Sequence, residues 1–307
     1  MSRNLVRSSH SRYSDEWYTK YEIVDFIAGL FGPDAFRGKR VLCNCDSNWS
    51  NIYKFFRDNY QVLGLAGLTA TGISYDSDYR GVRYDYDGTE ETNTRLEWSG
   101  SFDSWECKKI LDSCDIVFTN PPFSRIREYM STVIGSGKKF ITFMSNTSIV
   151  QKYVFEQYKQ GAFNIVMTRD VLEKAKGKNL VKYVNVVPSD CVSDWFVSPD
   201  GSVKSINGIV VSNMDGSDKL EHYIMRKINL IEYDEKLHRK YNNIDSVNCD
   251  SANNIPDTDC IIGVPVTILT NGTYDRDELE LIDATNDTQV DGVQKFKRIL
   301  VKLKKYQ

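Results

Sequence analysis

Two adjacent prolines near the middle of the chain restrict the backbone more strongly than any other feature of the sequence. They follow residues 115–119, an apolar run of β-branched and aromatic residues that predicts a buried strand. Pro121 and Pro122 have no backbone N–H and a nearly fixed φ, so they fit neither a central strand nor a helix interior. An amphipathic stretch follows, so a strand, a rigid loop and a helix are predicted in succession. Ligands bind at the carboxyl ends of strands in an open α/β sheet, which makes this loop a candidate site.

Methylation of an exocyclic amine is the chemistry that suits Asn120, Pro121, Pro122 and Phe123. Such a nitrogen is a weak nucleophile because its lone pair is delocalised into the ring. The Asn120 side-chain oxygen and the Pro121 carbonyl could accept both amine hydrogens, while Phe123 stacks on the base and contributes about 1–3 kcal/mol. The prolines would hold this geometry before the reaction begins. An ordinary turn is the alternative, and the flanking strand and helix favour the functional interpretation.

Composition places the chain among ordinary soluble globular proteins. Its 307 residues are 41% hydrophobic and 26% charged, which suits one large domain or two. No apolar stretch approaches the roughly 20 residues of a membrane span, and the first residues lack the apolar core of a secretory signal. Seven cysteines, an odd number without regular spacing, favour a reducing compartment over a disulfide framework. We therefore expect a cytoplasmic protein.

Charge is unevenly distributed along the chain. The net charge of −3 excludes a uniformly basic coat for nucleic acid but is compatible with a local basic groove. Acidic residues concentrate in residues 76–97, and basic residues in residues 152–182, 226–240 and 295–305. Because such runs are commonly solvated faces, they indicate phosphate contacts only together with other features.

The first half of the chain alternates between strand and helix patterns. The predicted elements are a helix over 20–31, a strand over 39–44, a helix marked by Trp49, Ile52, Tyr53, Phe56 and Tyr60, a strand over 61–67, one or two hairpins within 72–98, a short helix over 104–113, a helix over 126–134 and a strand over 139–145. This alternation predicts an α/β fold with a mostly parallel, doubly wound sheet. Residues 1–14 are polar and predict a mobile arm.

Strand patterns dominate the second half of the chain. The strand-like segments are residues 162–168, 182–187, 192–197, 208–212, 261–270 and 294–304. Residues 242–259 are rich in Asn, Asp and Ser and predict a long loop. We therefore predict a catalytic domain over residues 15–150 and a β-rich, substrate-facing region over residues 151–307, partly packed back on the catalytic sheet.

A polar loop of Asn44, Cys45 and Asp46 follows the first predicted strand and precedes a helix. This layout is typical of a nucleotide-cofactor site, although the glycine-rich signature is absent. Cys43 and Cys45 have no second Cys or His pair nearby, and the three histidines are isolated in the sequence. We therefore predict two buried thiols and no metal site.

Four segments stand in an order that resembles the EcoRI methylase family of adenine-specific DNA methyltransferases. The segments are Trp17-Tyr18-Thr19, Asn44-Cys45-Asp46, Phe102-Asp103 and Asn120-Pro121-Pro122-Phe123. The resemblance spans most of the chain. It implies a Rossmann-like methyltransferase sheet, followed by a target-recognition region, that moves a methyl group from S-adenosylmethionine to N6 of adenine without a metal.

The resemblance also implies two groups of site residues. The loop of residues 120–123 would hold the target adenine. Two positions depart from the family pattern: Ser101 stands where an aspartate is expected, and Asp76 is a poor substitute for the ribose-binding carboxylate after the second strand. Cofactor contacts, from the methionine end to the adenine end, are implied for Trp17, Tyr18, Thr19, Asn44, Cys45, Asp46, Phe102 and Asp103.

The implied substrate is double-stranded DNA. The amine cannot be reached inside a duplex, so the base must be flipped out. Phosphate contacts from the basic runs of the C-terminal half would offset that cost. Arg125, Arg127 and Arg169 are candidates to fill the gap that the base leaves. A monomer is expected, and a cognate restriction endonuclease or a solitary, phage-protective role is compatible with the sequence.

Two other interpretations remain open at the level of sequence. One keeps the cofactor and changes the acceptor to cytosine N4, an RNA adenine or a protein glutamine amide. The other is a non-catalytic DNA-binding relative that has lost the cofactor, which the atypical Cys43–Asp46 loop supports and the intact residues 120–123 oppose.

Overall fold

A computed structural model describes residues 19, 21–73, 80–168, 208–270, 276–295 and 297–306. The chain forms two compact units: the first holds the described residues of Met1–Met144 and Ser212–Gly216, and the second those of Ser145–Lys178, Gly208–Val211 and Ser217–Gln307. No helix in these ranges is long and apolar enough to cross a membrane. Several predictions fall outside the described residues: the arm of residues 1–14, Trp17, Tyr18, Asp76, Arg169, and the strands over 182–187 and 192–197.

The first unit is built on six strands of a mixed sheet. Their order is β4-β3-β2-β1-β5-β6, in which β2, β1, β5 and β6 run parallel and β3 and β4 form an antiparallel hairpin beside β2. The predicted α/β, Rossmann-like class is therefore confirmed. The strands are β1 Arg40–Cys43, β2 Gly67–Gly72, β3 Val82–Tyr86, β4 Glu91–Arg95, β5 Ile116–Thr119 and β6 Lys139–Ser145, and the helices are α1 Tyr21–Phe31, α2 Asn51–Asp58, α3 Tyr60–Leu63, α4 Trp105–Asp112 and α5 Ile126–Gly135.

Apolar packing explains why these elements form. All four residues of β5 are buried, as expected for a parallel strand covered on both faces. Helix α2 buries an aromatic face, and its Phe56 ring lies 5.1 Å from the Phe118 ring of β5. The Ser50 hydroxyl accepts a hydrogen bond from the Tyr53 N–H at 3.1 Å and so caps this helix at its start. The predicted helix marked by Trp49 to Tyr60 is wrong at both ends, because Trp49 lies before α2 and is 45% exposed, and Tyr60 begins helix α3.

The predicted strand over residues 61–67 is wrong. The chain forms helix α3 there, Gly64 ends that helix with a left-handed φ of 61°, and the strand is Gly67–Gly72. A short apolar run has no periodicity that separates a buried helical turn from a buried strand, and the flanking glycine is the only local signal. The order of elements is unchanged by this shift.

The second unit is rich in strands, as predicted. It contains neighbouring strands β7 and β8, a four-stranded sheet in the order β10-β12-β16-β13, and two-stranded pairs of β9 with β11 and of β14 with β15. The strands are β7 Asn164–Thr168, β8 Gly208–Ser212, β9 Asn229–Ile231, β10 Val247–Asn248, β11 Asn254–Pro256, β12 Ile262–Pro265, β13 Leu279–Thr285, β14 Thr288–Val290, β15 Val293–Lys295 and β16 Arg298–Leu303, and the helices are α6 Lys152–Lys159, α7 Ser217–Ile224 and α8 Thr267–Thr270.

Three predictions in this unit need correction. Only the first part of residues 261–270 is a strand, because the chain turns into α8 after Pro265. The predicted terminal strand over 294–304 is divided between β15 and β16. The predicted loop over residues 242–259 carries β10 and β11 and buries Val247 and Ile255, so its polar composition concealed two short strands.

Three glycines let the end of β2 approach the segment before α4. A Cβ at Gly100 would lie within 3.0 Å of the Gly72 carbonyl oxygen, and one at Gly81 would lie equally close to the Gly100 backbone. Gly100 also has a φ of 75°, which side chains disfavour. Glycine is therefore required at this crossing, which places residues 101–103 beside the strand ends.

We expect Gly100→Ala to destabilise the protein more than Gly137→Ala. Both glycines have a left-handed φ, but a Cβ at Gly137 meets no atom within 4 Å. The control therefore loses only the conformational term of about 1 kcal/mol, while Gly100→Ala adds a backbone clash. Urea unfolding followed by far-UV circular dichroism measures both, and equal midpoints for the two variants would contradict the proposed close approach.

Candidate active site

The carboxyl ends of β1 and β5 lie side by side. The two strands pair in parallel, with Val41 opposite Ile116 and Leu42 opposite Val117. The polar loop after β1 and the proline loop after β5 consequently begin at the same edge of the sheet. This topology brings two of the predicted site segments together.

Residues 120–123 form the predicted rigid turn. Asn120 follows β5 directly, Pro121 is buried, and Pro122 has an extended backbone with φ −61° and ψ 123°. Phe123 is half-buried and begins a short 3-10 turn, Phe123–Arg125, that leads into α5. The loop therefore carries its amide and its ring at the end of a buried strand.

Thr19 connects three parts of the site. Its hydroxyl oxygen accepts a hydrogen bond from the Asn120 Nδ2 at 3.3 Å, and its carbonyl accepts one from the Asn51 Nδ2 at 2.9 Å. The Thr19 side chain is buried. The segment before α1 is thereby tied to the loop of residues 120–123 and to the first turn of α2.

The Asp46 carboxylate bonds to the start of the loop of residues 120–123. It accepts a hydrogen bond from the Thr119 hydroxyl at 2.7 Å and further bonds from the Asn120 backbone N–H and the Ser50 hydroxyl. Asp46 is only 8% exposed, and burial raises the pKa of its carboxyl to about 6 in spite of these three bonds. The geometry indicates that Asp46 positions the loop, a contact that the sequence did not predict.

Three residues next to Asp46, namely Cys43, Asn44 and Cys45, are buried or partly buried. Asn44 is buried, and its side-chain oxygen accepts a hydrogen bond from the Tyr129 hydroxyl at 3.1 Å. Cys43 is buried and Cys45 is partly buried. Burial raises the pKa of the Cys43 thiol well above its ordinary value, which keeps it protonated at neutral pH. Among the residues that the structure describes, no three His, Cys, Asp or Glu side chains gather as metal ligands would.

Phe102 and Asp103 meet Arg125 across the site. The Arg125 guanidinium lies over the Phe102 ring, 4.7 Å from its centroid, and its Nη2 is 2.6 Å from the Asp103 Oδ2. Tyr129 packs edge-on against the same ring at 5.2 Å, so Phe102 is 3% exposed. Burial by itself would raise the pKa of Asp103, but the Ser101 hydrogen bond and Arg125 outweigh it and hold the pKa below its ordinary value.

Ser101 has a defined role where the family pattern predicts an aspartate. Its hydroxyl donates to the Asp103 Oδ1 at 2.5 Å and accepts from the Arg125 Nη1 at 3.0 Å. Ser101 therefore bonds to the Asp103 carboxylate and to the Arg125 guanidinium at the same time. Its short spacing from Asp103 was visible in the sequence, whereas the 22-residue separation from Asp103 to Arg125 left no local signal.

Because the pKa of Asp46 is raised in the folded state, its contribution to the free energy of unfolding should fall as the pH rises from about 4 to 7. A raised pKa means that the folded state holds the proton more tightly, so the stabilising contribution is largest below pH 4 and is lost as the pH passes about 6. The shift of about two units corresponds to at most about 3 kcal/mol. Urea unfolding across this range should show the decline in the parent protein relative to Asp46→Asn.

Asp103→Asn should affect the pH dependence of the free energy of unfolding in the opposite direction to Asp46→Asn. The pKa of Asp103 is lowered, so its contribution is present at neutral pH and is lost in acid. If Asp46→Asn has the same pH dependence as the parent protein, the buried carboxyl does not titrate as described.

Comparison with known proteins identifies the family. The model of the family "Adenine-specific methyltransferase EcoRI" matches residues 4–307. The chain is 28% identical over 338 residues to the Type II methyltransferase M.EcoRI of Escherichia coli, with all of both chains covered. It is 34% identical over 148 residues to the Type II methyltransferase M.MpnI of Mycoplasma pneumoniae, covering 48% of this chain and 46% of that protein.

A third relative extends the match over most of the chain. The Type II methyltransferase M.MgeORF184P of Mycoplasma genitalium is 26% identical over 290 residues, covering 87% of this chain and 89% of that protein. No solved structure gives a significant match. The family model covers nearly the whole sequence and confirms the resemblance found in its motifs, so this chain belongs to the EcoRI family of adenine-specific methyltransferases.

Proposed function

We propose that the chain transfers a methyl group from S-adenosylmethionine to N6 of a flipped adenine at a specific site in double-stranded DNA. The rigid loop Asn120-Pro121-Pro122-Phe123 at the carboxyl end of β5 is the observation that carries the proposal. Membership of an adenine-specific methyltransferase family and full-length similarity to a Type II methyltransferase support it. Roles for individual residues are part of the proposal.

The residues at the strand ends fit S-adenosylmethionine chemically. The Ser47 hydroxyl is buried with no hydrogen-bond partner among the described residues, which suits a polar ligand at the end of β1. At Gly72, the last residue of β2, a Cβ would lie only 3.0 Å from the Asp46 carbonyl oxygen, so a bulkier residue would crowd this loop. Phe102 and Asp103 combine an aromatic ring, which can stack on an adenine, with a carboxylate, which can accept a hydrogen bond from its amino group. When bound, S-adenosylmethionine supplies a methyl group on a positively charged sulfur.

The chain's own residues would orient the acceptor amine. Asn120 donates a hydrogen bond from Nδ2 to the Thr19 hydroxyl, and this bond fixes the orientation of the side-chain amide, including its oxygen. That oxygen and the Pro121 carbonyl would accept the two amine hydrogens and draw the nitrogen toward a tetrahedral geometry. Phe123 would stack on the flipped base. The product amine is cationic until it loses a proton, so no general base is needed to activate the nitrogen.

Asp46 would keep this loop in place during the reaction. It bonds to the Asn120 N–H and to the Thr119 hydroxyl, and these are the last two residues before the prolines. Preorganised acceptors accelerate a reaction because they need no rearrangement as charge develops. Asp46 is therefore a positioning residue in this proposal and not a base.

Target recognition is proposed for the β-rich C-terminal region, residues 151–307. Its basic residues would contact phosphates and help to offset the cost of base flipping. We also propose that the protein acts as a monomer in the cytoplasm of a bacterial or phage-infected cell, with a cognate restriction endonuclease as its partner in function. The domain boundary near residue 150 remains a prediction.

Methyl transfer to unmethylated duplex DNA tests the proposal. Labelled S-adenosylmethionine is incubated with the protein and DNA that lacks adenine methylation, and the nucleosides are then separated. Label in N6-methyladenine is the expected result. Label in N4-methylcytosine, or in an RNA substrate only, would change the acceptor. Absence of both transfer and cofactor binding would favour a non-catalytic DNA-binding protein.

Asn120→Ala should reduce methyl transfer at least about 100-fold, because removing one preorganised hydrogen-bonding group costs that much in comparable sites. The fold should be retained, since Asn120 is only half-buried and lies in a loop. Single-turnover transfer measures the effect. Asn93→Ala, in the exposed strand β4, is the matched control and should keep the parent rate. Near-normal turnover by Asn120→Ala would overturn its assigned role.

A further inference from the structure

The proposed adenine-binding residues already hold a flat, hydrogen-bonding group of the protein itself. The Arg125 guanidinium lies over the Phe102 ring at 4.7 Å. Its two terminal nitrogens reach the Asp103 Oδ2 at 2.6 Å and the Ser101 Oγ at 3.0 Å. One side chain thus stacks on the aromatic face and binds the carboxylate together.

A guanidinium and an adenine present similar groups to such a site. Both are planar and delocalised, both stack on aromatic faces, and both direct N–H donors outward in the plane. Phe102 is almost fully covered while Arg125 and Tyr129 pack on it. An adenine cannot stack on the face that Arg125 covers or replace its bond to Asp103 until Arg125 moves away.

We propose that Arg125 occupies the cofactor-adenine position in the free protein and leaves Asp103 when the cofactor binds, to contact a DNA phosphate. This inference rests on the proposed function. Arg125 lies two residues after Phe123, in the turn that ends the catalytic loop. Its release from Asp103 makes its positive charge available next to the loop that would receive the flipped base, so cofactor binding and DNA binding strengthen each other.

The contacts that Arg125 must give up are weak enough to be exchanged. The Arg125 and Asp103 side chains are each 39% exposed, and pairs of this kind are screened by solvent. A stacked cation at a partly exposed ring adds a similarly small amount. Together they reduce cofactor affinity without preventing binding.

Cofactor affinity of Arg125 variants tests the exchange directly. Calorimetry with S-adenosylhomocysteine should show about 3- to 30-fold tighter binding by Arg125→Ala than by the parent protein. Arg125→Lys keeps the charge but loses the planar stack, so its affinity should lie between the two. Equal or weaker binding by Arg125→Ala would overturn the proposal, because Arg125 would then support the site.

Arg57→Ala is the matched control. Arg57 forms an ion pair with Asp58 at 3.0 Å, and the two side chains are 38% and 46% exposed, close to the values of the Arg125 pair. Loss of this pair should leave the affinity for S-adenosylhomocysteine unchanged. If Arg57→Ala bound S-adenosylhomocysteine as much more tightly than the parent protein as Arg125→Ala does, loss of any such charge would tighten binding, and the proposal would also be overturned.

DNA binding gives a second readout that does not depend on turnover. S-adenosylhomocysteine should tighten binding of a labelled mixed-sequence duplex by the parent protein and steepen its salt dependence by about one phosphate contact. Arg125→Ala should lose both effects. If the variant keeps the full coupling, Arg125 does not carry it and the proposal fails.

Failure of the inference and failure of the proposed function are distinguishable. Binding of S-adenosylhomocysteine by the parent protein, without a gain in Arg125→Ala, rejects the exchange and leaves the methyltransferase proposal standing. Absence of binding in the parent protein and in every variant rejects both.

Discussion

The contact of the Asp46 carboxylate with the start of the proposed catalytic loop, residues 120–123, is the interaction on which the candidate site depends. A loop with two prolines has few N–H groups, so it cannot be held by a sheet ladder. Its support comes from the Asn120 N–H and from the Thr119 hydroxyl, both bonded to Asp46. The parallel pairing of β1 with β5 makes this contact possible, because it brings the two strand ends to one edge.

Holding a loop with a buried carboxylate costs desolvation free energy. Burial disfavours its charged form, and three hydrogen bonds offset only part of that effect, since the pKa still rises to about 6. An apolar contact would be more stable but would fix the loop with less directional precision. The arrangement is consistent with a site where orientation of Asn120 matters more than local stability.

The sequence predicted the elements around the candidate site better than the contacts within it. Strands β6 and β8 have the predicted bounds, and the strand, proline loop and helix follow as expected, because apolar runs and prolines act locally. Residues 61–67 were assigned wrongly because a short apolar run suits helix and strand alike. The Arg125–Asp103 pair joins residues that are distant in sequence, and such pairing depends on the assembled sheet.

The Arg125 cluster would also explain how the proposed adenine site is stable without a ligand. Such a site presents an aromatic face, which is unfavourable to leave in contact with water, and a carboxylate, which is unfavourable to bury without a partner. Arginine is the side chain that satisfies both at once, since it is flat, cationic and rich in donors. Ser101 strengthens the arrangement by bonding to Asp103 and Arg125 together. Where the family pattern has a second acid, this chain has a neutral hydroxyl, so a single arginine balances the charge of the site.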